Sequence, residues 1–317
     1  MAQASNSFAT FSSSRVREQL QDKIWNVSVS ETPTLALIGK EKIDGTFVEW
    51  LNDSFAAGAS NKVEQGNVPT IAATTDVSRY SNRTQISEKS GGVTGTQDRV
   101  EKAGGASEYD TQVSKKMVEL KKDVEVGVLQ NTTAITAASG TAGQARGFIG
   151  FIATNSSRAT TGTVGVSPNA LTNTAPTDGT QRTFAETLMK DTMKLMFDNG
   201  APGMDNIYAL IPSAQRTAFD TFLAGQTRFD KAEDKTLTAT LEVYIGPFGR
   251  VKAVNARHMR AREVILLNKE YASLGVLRPM RDKELALRGD VREFMINTEW
   301  TLLVKNEKAH GIVADLS

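Results

Sequence analysis

The sequence contains no cysteine and only two histidines, His258 and His310. The first absence excludes disulfides and thiolate-held metal, leaving packing and association as the sources of stability. The histidines lack the H-x-x-x-H spacing of a catalytic zinc site, and each is expected at the surface or at an interface. A basic excess is missing too: 37 Lys and Arg against 36 Asp and Glu give a formal net charge of +1. Proteins that hold nucleic acid tightly do so by neutralising phosphates, so tight, specific DNA binding is disfavoured and weak contact stays open. No run reaches the ~18 apolar residues of a membrane span. Met1 to Ser14 is rich in Ser, Ala and Asn, without the basic and apolar regions of a signal peptide. The G-x-S-x-G, G-x-x-x-x-G-K-[ST] and G-x-G-x-x-G signatures are all missing. Glu108/Asp110 and Asp123/Glu125 stand two apart on an expected helix, so each pair points to different faces and cannot share a substrate proton. Arg288-Gly289-Asp290 reads as turn chemistry. No catalytic residue, metal or cofactor is expected.

What is present is enough to bury a core. The chain has 317 residues, 39 % of them hydrophobic, which suits one large domain or two smaller ones. Residues 1–14 read as an arm, followed by a short amphipathic helix with Val16, Leu20 and Ile24 on one side and Trp25 beyond it. Thr32-Pro33 ends that segment. Residues 43–50 and 83–89 read as two strands of one long hairpin, joined by the Gly-, Asn- and Ser-rich stretch 52–82. A lone hairpin is marginal in water, so Ile43, Phe47 and Ile86 need a surface to pack against, and a neighbouring subunit is the natural one.

Residues 107–130 carry the strongest helical pattern. Ser107 is placed to cap, and Tyr109, Val113, Met117, Leu120, Val124 and Val128 recur every three or four residues as one buried stripe. Lys115–Glu119 and Lys121–Glu125 are expected as ion pairs on the polar side. Residues 131–182 read as loop with one strand. Thr183 and Glu186 spell a capping box for a helix running to Asn199, where Gly200 and Pro202 stop it. A strand at 207–211, a helix opened by Ser213 and closed near Gly225, a hairpin at 241–246 and 250–255, and a strand at 263–267 follow. Phe294, Ile296, Trp300, Leu302 and Val304 alternate along a long strand, and 311–316 is expected to pair back on it.

Three segments carry a resemblance: TPTLALIGKEKIDGTFVEW at 32–50, RTQISEKSGGVTGTQDRVEKAGGASEYDTQVSKKMVELKKDVEVGVLQN at 83–131, and LRPMRDKELALRGDVREFMINTEWTLLVKNEKAHGIVADL at 277–316. The chain resembles the major capsid proteins of tailed bacteriophages with the Hong Kong-97-type fold. The resemblance implies an α+β subunit. Residues 1–32 would be an N-terminal arm and 33–106 an extended β-hairpin loop (the E-loop) with its base. Residues 107–144 would belong to a peripheral domain with spine helix 107–130, 145–256 to an axial domain, and 257–317 would return to the peripheral domain.

It also implies a shell subunit of an icosahedral head enclosing double-stranded DNA, built from hexamers and pentamers. Expected inter-subunit contacts of the extended loop are Ile43, Phe47, Trp50 and Ile86. The spine-helix core is Tyr109, Val113, Met117, Leu120 and Val124. Arg15, Arg17, Lys23 and Trp25 are arm or lumen contacts. Portal, scaffolding and decoration proteins are implied partners, with DNA touched non-specifically and no membrane. Two other readings stay open: a bacterial nanocompartment shell of the same fold, and an unrelated enzyme or binding module.

Overall fold

The computed structural model describes residues 31–317 apart from 57, 70, 72–76, 101–106, 166–173, 223–242 and 287–288. Arg15, Arg17, Lys23 and Trp25 lie outside the described residues, as does the expected helix at 16–24. In chain order the elements are α1 (Pro33–Leu37), β1 (Gly39–Lys42), β2 (Phe47–Asn52), β3 (Ser78–Arg83), β4 (Gln85–Thr94), α2 (Gly95–Arg99), α3 (Glu108–Gln130), α4 (Phe148–Phe151) and β5 (Ser156–Ser157). The second half holds α5 (Glu186–Asp198), β6 (Ile207–Ile211), α6 (Ser213–Asp220), β7 (Val243–Gly246), β8 (Gly249–Asn255), β9 (Val264–Asn268), β10 (Ala272–Glu284), β11 (Val291–Val304) and β12 (Gly311–Val313).

The helix α3 begins where Ser107 accepts a bond from the Asp110 amide at 3.3 Å, and Glu108 and Asp110 sit favourably in its first turn. It runs for 23 residues, about 34 Å at the usual rise. Tyr109, Val113, Leu120 and Val124 are buried and Met117 is half-buried. The first three pack with Phe294 and Ile296 of β11, where Tyr109 meets Phe294 edge-on at 5.4 Å. The C-terminal half of α3 enters a larger core with Phe148, Phe151 and Trp300. The charged side differs from expectation. Glu119 pairs with Lys116 at 2.7 Å, not with Lys115. Glu125 forms no pair with Lys121, because it is turned inward and fully buried.

A four-stranded sheet in the order β1-β10-β11-β4 lies against α3. β11 is central, and its expected inner face (Phe294, Ile296, Trp300, Leu302 and Val304) is buried throughout. The hairpin differs from expectation: β2 pairs with β3, six residues each, whereas residues 85–94 leave it and pair with β11. The reason lies in the inward positions of β4. Gln85 accepts from the Asn131 amide at 2.9 Å and Ser87 accepts from the Trp300 indole at 3.0 Å, so polar residues satisfy buried donors while Ile86 faces out.

A six-stranded sheet in the order β5-β12-β9-β6-β8-β7 forms the second unit. Helix α5 packs on it through Met189, Met193 and Met196. The expected capping box is not formed. Ala185 occupies the N-cap, and Glu186 instead takes a bond from the Tyr244 hydroxyl at 2.8 Å and pairs with Lys190 at 2.9 Å. The helix α6 opens after Pro212 and ends at Asp220, short of the expected Gly225, which lies outside the described residues. The boundary expected at residue 256 also differs. β9 and β12 belong to this sheet, paired with β6 and β5, so residues 257–317 do not all return to the four-stranded sheet. All five residues of β9 are buried, the mark of a strand covered on both faces.

Candidate assembly surface

The hairpin β2–β3 is firmly rooted. The Trp50 indole donates to the Val304 carbonyl at 3.0 Å, stacks near Tyr80, and leans on Phe151 with ring centres 6.1 Å apart. Opposite Val48 on β3, Asn82 is buried and ties three segments together. Its amide donates to the carbonyls of Arg146 at 3.0 Å and Leu302 at 2.7 Å, and its oxygen accepts from the Arg146 amide at 2.9 Å. Thr84 completes the root through the Thr46 carbonyl and the Glu299 carboxylate, both at 2.9 Å.

Beyond the root the environment reverses. Phe55 is 101 % exposed and Ile71 is 96 % exposed, with Val63 and Val68 nearly as open. Phe47 and Leu51 are exposed along the outer face of β2. Such a run of open apolar side chains on a rigidly held hairpin marks an interaction surface. A groove of about 380 Å³ lies elsewhere on the subunit, between α1, α3 and β10, lined by Leu35, Val124, Leu274, Val276, Met280 and Trp300.

The structure divides the expected loop contacts. Phe47 stands on the exposed face. Ile43 is 7 % exposed and packs against Gly275 of β10, whose missing side chain leaves it room, so it is a core residue of its own subunit. Trp50 is likewise committed to its own subunit through Val304 and Phe151. Ile86 is exposed, but on β4 and not on the hairpin.

The chemistry of the remainder is structural. His310 is corrected from surface to core: it is fully buried, accepts from the Asn268 amide at Nδ1 (3.2 Å), and meets Phe148 edge-on. Burial holds its imidazole at about 4, partly offset by the Tyr271 backbone. His258 is half-buried, and its carbonyl takes a bond from Gln130. Sequence reasoning missed the buried acids, Glu125, Glu263 and Glu307 among them. Glu125 accepts from the Thr34 amide at 3.4 Å, at the start of α1, and burial raises its carboxyl above the ordinary range. Glu307 receives the amides of Ala153 and Thr154 at 2.8 and 2.6 Å. Glu263 is also raised by burial, against the pull of Arg260 at 3.2 Å. The signal for Glu125 was available: it adjoins Val124 and lies one turn before Leu129 on a helix whose buried face widens toward its end. Among the described residues no three His, Asp or Glu gather as a metal site, and no helix is long and apolar enough to cross a membrane.

The family model of the SU10 major capsid protein matches residues 3–317, nearly the whole chain. The chain belongs to that family. It is therefore a major capsid protein, a structural component of the virion. Solved structures agree on the fold. The capsid of a native GTA particle superposes with a TM-score of 0.67 at 14 % identity, covering 99 % of this chain and 100 % of that one. The capsid subunit of cyanophage A-1(L) gives 0.64 at 13 % identity, covering 97 % and 98 %. The phage G major capsid protein, solved with decoration proteins, gives 0.54 at 12 % identity over the full length of both chains. No curated protein sequence matches the chain. The fold of this capsid protein is the Hong Kong-97 type, combining helices and sheets. Assembled shells are the setting of these relatives, and the family's role is structural.

Proposed function

We propose that this capsid protein builds its shell by laying the β2–β3 loop over a neighbouring copy, in hexamers and pentamers that close around double-stranded DNA. The observation that carries the reading is the contrast along one hairpin: a root held by Trp50 and Asn82, and a tip whose Phe55 and Ile71 find no cover within the described residues. The apolar groove beside Leu35 and Trp300 is the receiving surface on the neighbour. Burying ~500 Å² of apolar area at such a contact supplies roughly 12 kcal/mol before ordering costs. Closure of the shell then makes later contacts intramolecular and multiplies their effect.

On this reading α3 and the four-stranded sheet are the peripheral domain and the six-stranded sheet is the axial domain. Residues 1–32 form the arm, with Arg15, Arg17, Lys23 and Trp25 reaching a neighbour or the lumen. Assembly takes place in the bacterial host cytoplasm, with a portal, a separate scaffold and decoration proteins as further partners. DNA is contacted weakly and without sequence preference. The subunit catalyses nothing and needs no cofactor.

The test is the double variant Phe55→Ser/Ile71→Ser, co-expressed with any scaffold. It should melt at the wild-type temperature and form no shells in negative stain. Shells of normal yield would refute the reading.

A further inference from the structure

Helices α5 and α6 close one face of the six-stranded sheet, covering Ile207, Tyr244 and Val251. Alternation sends their chain neighbours to the opposite face. The register identifies that set: Tyr208 stands opposite Lys252, Lys252 opposite Val243, and Arg250 opposite Ile245. These residues form one continuous patch across β6, β8 and β7. Lys269 joins it from the end of β9. The ammonium groups of Lys252 and Lys269 lie 5.5 and 5.6 Å from the Tyr208 ring centre, so one aromatic face gathers two cations.

The charge on this patch is unbalanced. Several cations elsewhere are matched: Lys89 with Asp123, Lys116 with Glu119, Lys190 with Glu186, Arg278 with Glu299. Arg250, Lys252 and Lys269 enter no ion pair among the described residues. Glu270, next in sequence to Lys269, is turned to the Asn206 amide at 3.4 Å. Arg250 and Lys252 are exposed, as are Val243 and Ile245 beside them. A chain of net charge +1 thus concentrates three unmatched cations on one sheet face.

We propose that the Tyr208 face of the six-stranded sheet points into the shell and contacts the phosphates of the packaged duplex. The inference rests on the shell reading and names the surface by which that shell meets its contents. Three cations per subunit suit the task. Each contact is weak and salt-sensitive, so repetition over the lattice screens the packed charge without fixing the DNA in place. Tyr208 acts as a positioning residue that holds two of the cations.

The experiment titrates the purified full-length protein with a short mixed-sequence duplex across a salt series. In Arg250→Gln/Lys252→Gln/Lys269→Gln the slope of log affinity against log salt should fall in magnitude by about 2 to 3, at roughly 0.9 per phosphate contact. Tyr208→Leu should keep most of the slope and weaken binding about two- to fivefold. A control that removes equal charge from exposed helix positions, Lys115→Gln/Lys121→Gln/Lys194→Gln, should keep the wild-type slope. An unchanged slope in the sheet variant, or an equal loss in the control, overturns the proposal. So does tighter binding of poly-glutamate than of duplex at this face, which would assign it to an acidic polypeptide. Loss of shells with an unchanged slope would assign it to a subunit contact and overturn it equally. Shell formation is scored separately by negative stain. Failure of the wild type to form shells would count against the shell reading, and with it the packaged duplex as occupant, even where the slope behaves as expected.

Discussion

The Trp300 indole lies against Gly127 so closely that a Cβ added at 127 would meet its Cη2 at 2.8 Å. A glycine inside a 23-residue helix is costly for the helix, by about 1 kcal/mol against alanine. It is kept because it lets the spine helix approach the central strand β11 at Trp300, in the larger core. Gly127→Ala therefore sets helix propensity against overpacking. The clash involves a rigid, buried ring, so overpacking prevails at about 1 to 3 kcal/mol. The variant should melt below the wild type. A rise in melting temperature would show that α3 can shift away from β11 without cost.

The loop root makes a second prediction. Asn82→Ala removes the acceptor of the Arg146 amide and frees two buried carbonyls at once. A buried group left without a partner costs about 1 to 3 kcal/mol. Denaturant unfolding should show a loss of at least that size, and limited proteolysis should cut the hairpin faster than in the wild type. Unchanged cleavage with a lowered midpoint would mean that Asn82 supports the core and not the hairpin.

The buried imidazole predicts a pH dependence. His310 titrates at about 4 in the folded protein and near 6.5 when unfolded. Between those values the unfolded chain binds more protons, so stability falls as pH drops from 6.5, reaching a loss of roughly 3 kcal/mol below pH 4. Glu125 and Glu263 act in the opposite sense. Their folded pKa values are raised, so their contribution is present at low pH and is lost as pH climbs above 4.5. His310→Gln separates the two effects. Its stability relative to wild type should improve as the pH is lowered from 7 to 4.5. A constant difference across that range would remove His310 from the account.

Glu125 allows a sharper test of buried charge. Its carboxylate receives the Thr34 amide where the chain enters α1, and burial disfavours its charged form. Glu125→Gln keeps an acceptor and removes the charge. It should equal or exceed wild-type stability at pH 8, with the gap closing toward pH 4.5. Glu125→Ala should destabilise at every pH, since it leaves the amide unpaired in the core. If the glutamine variant behaves like the alanine one, the charge itself is what holds α1.

The sequence by itself determined the elements whose signal is local and periodic. Helix α3 was legible from its stripe and its Ser107 cap, and β11 from the alternation of Phe294 through Val304. The family was legible from three long segments, because many residues agreed at once. Tertiary structure decided which strand partners which. The stretch containing Gln85 and Ser87 reads as half of a hairpin until Asn131 and Trp300 supply the donors that draw it into the main sheet. It likewise decided that Ile43 and Trp50 serve their own subunit, and that Glu125 and His310 are buried. Periodicity records which side of an element avoids water. It holds no record of the partner, because pairing and desolvation depend on residues from about 40 to more than 200 positions apart that meet only once the chain has folded.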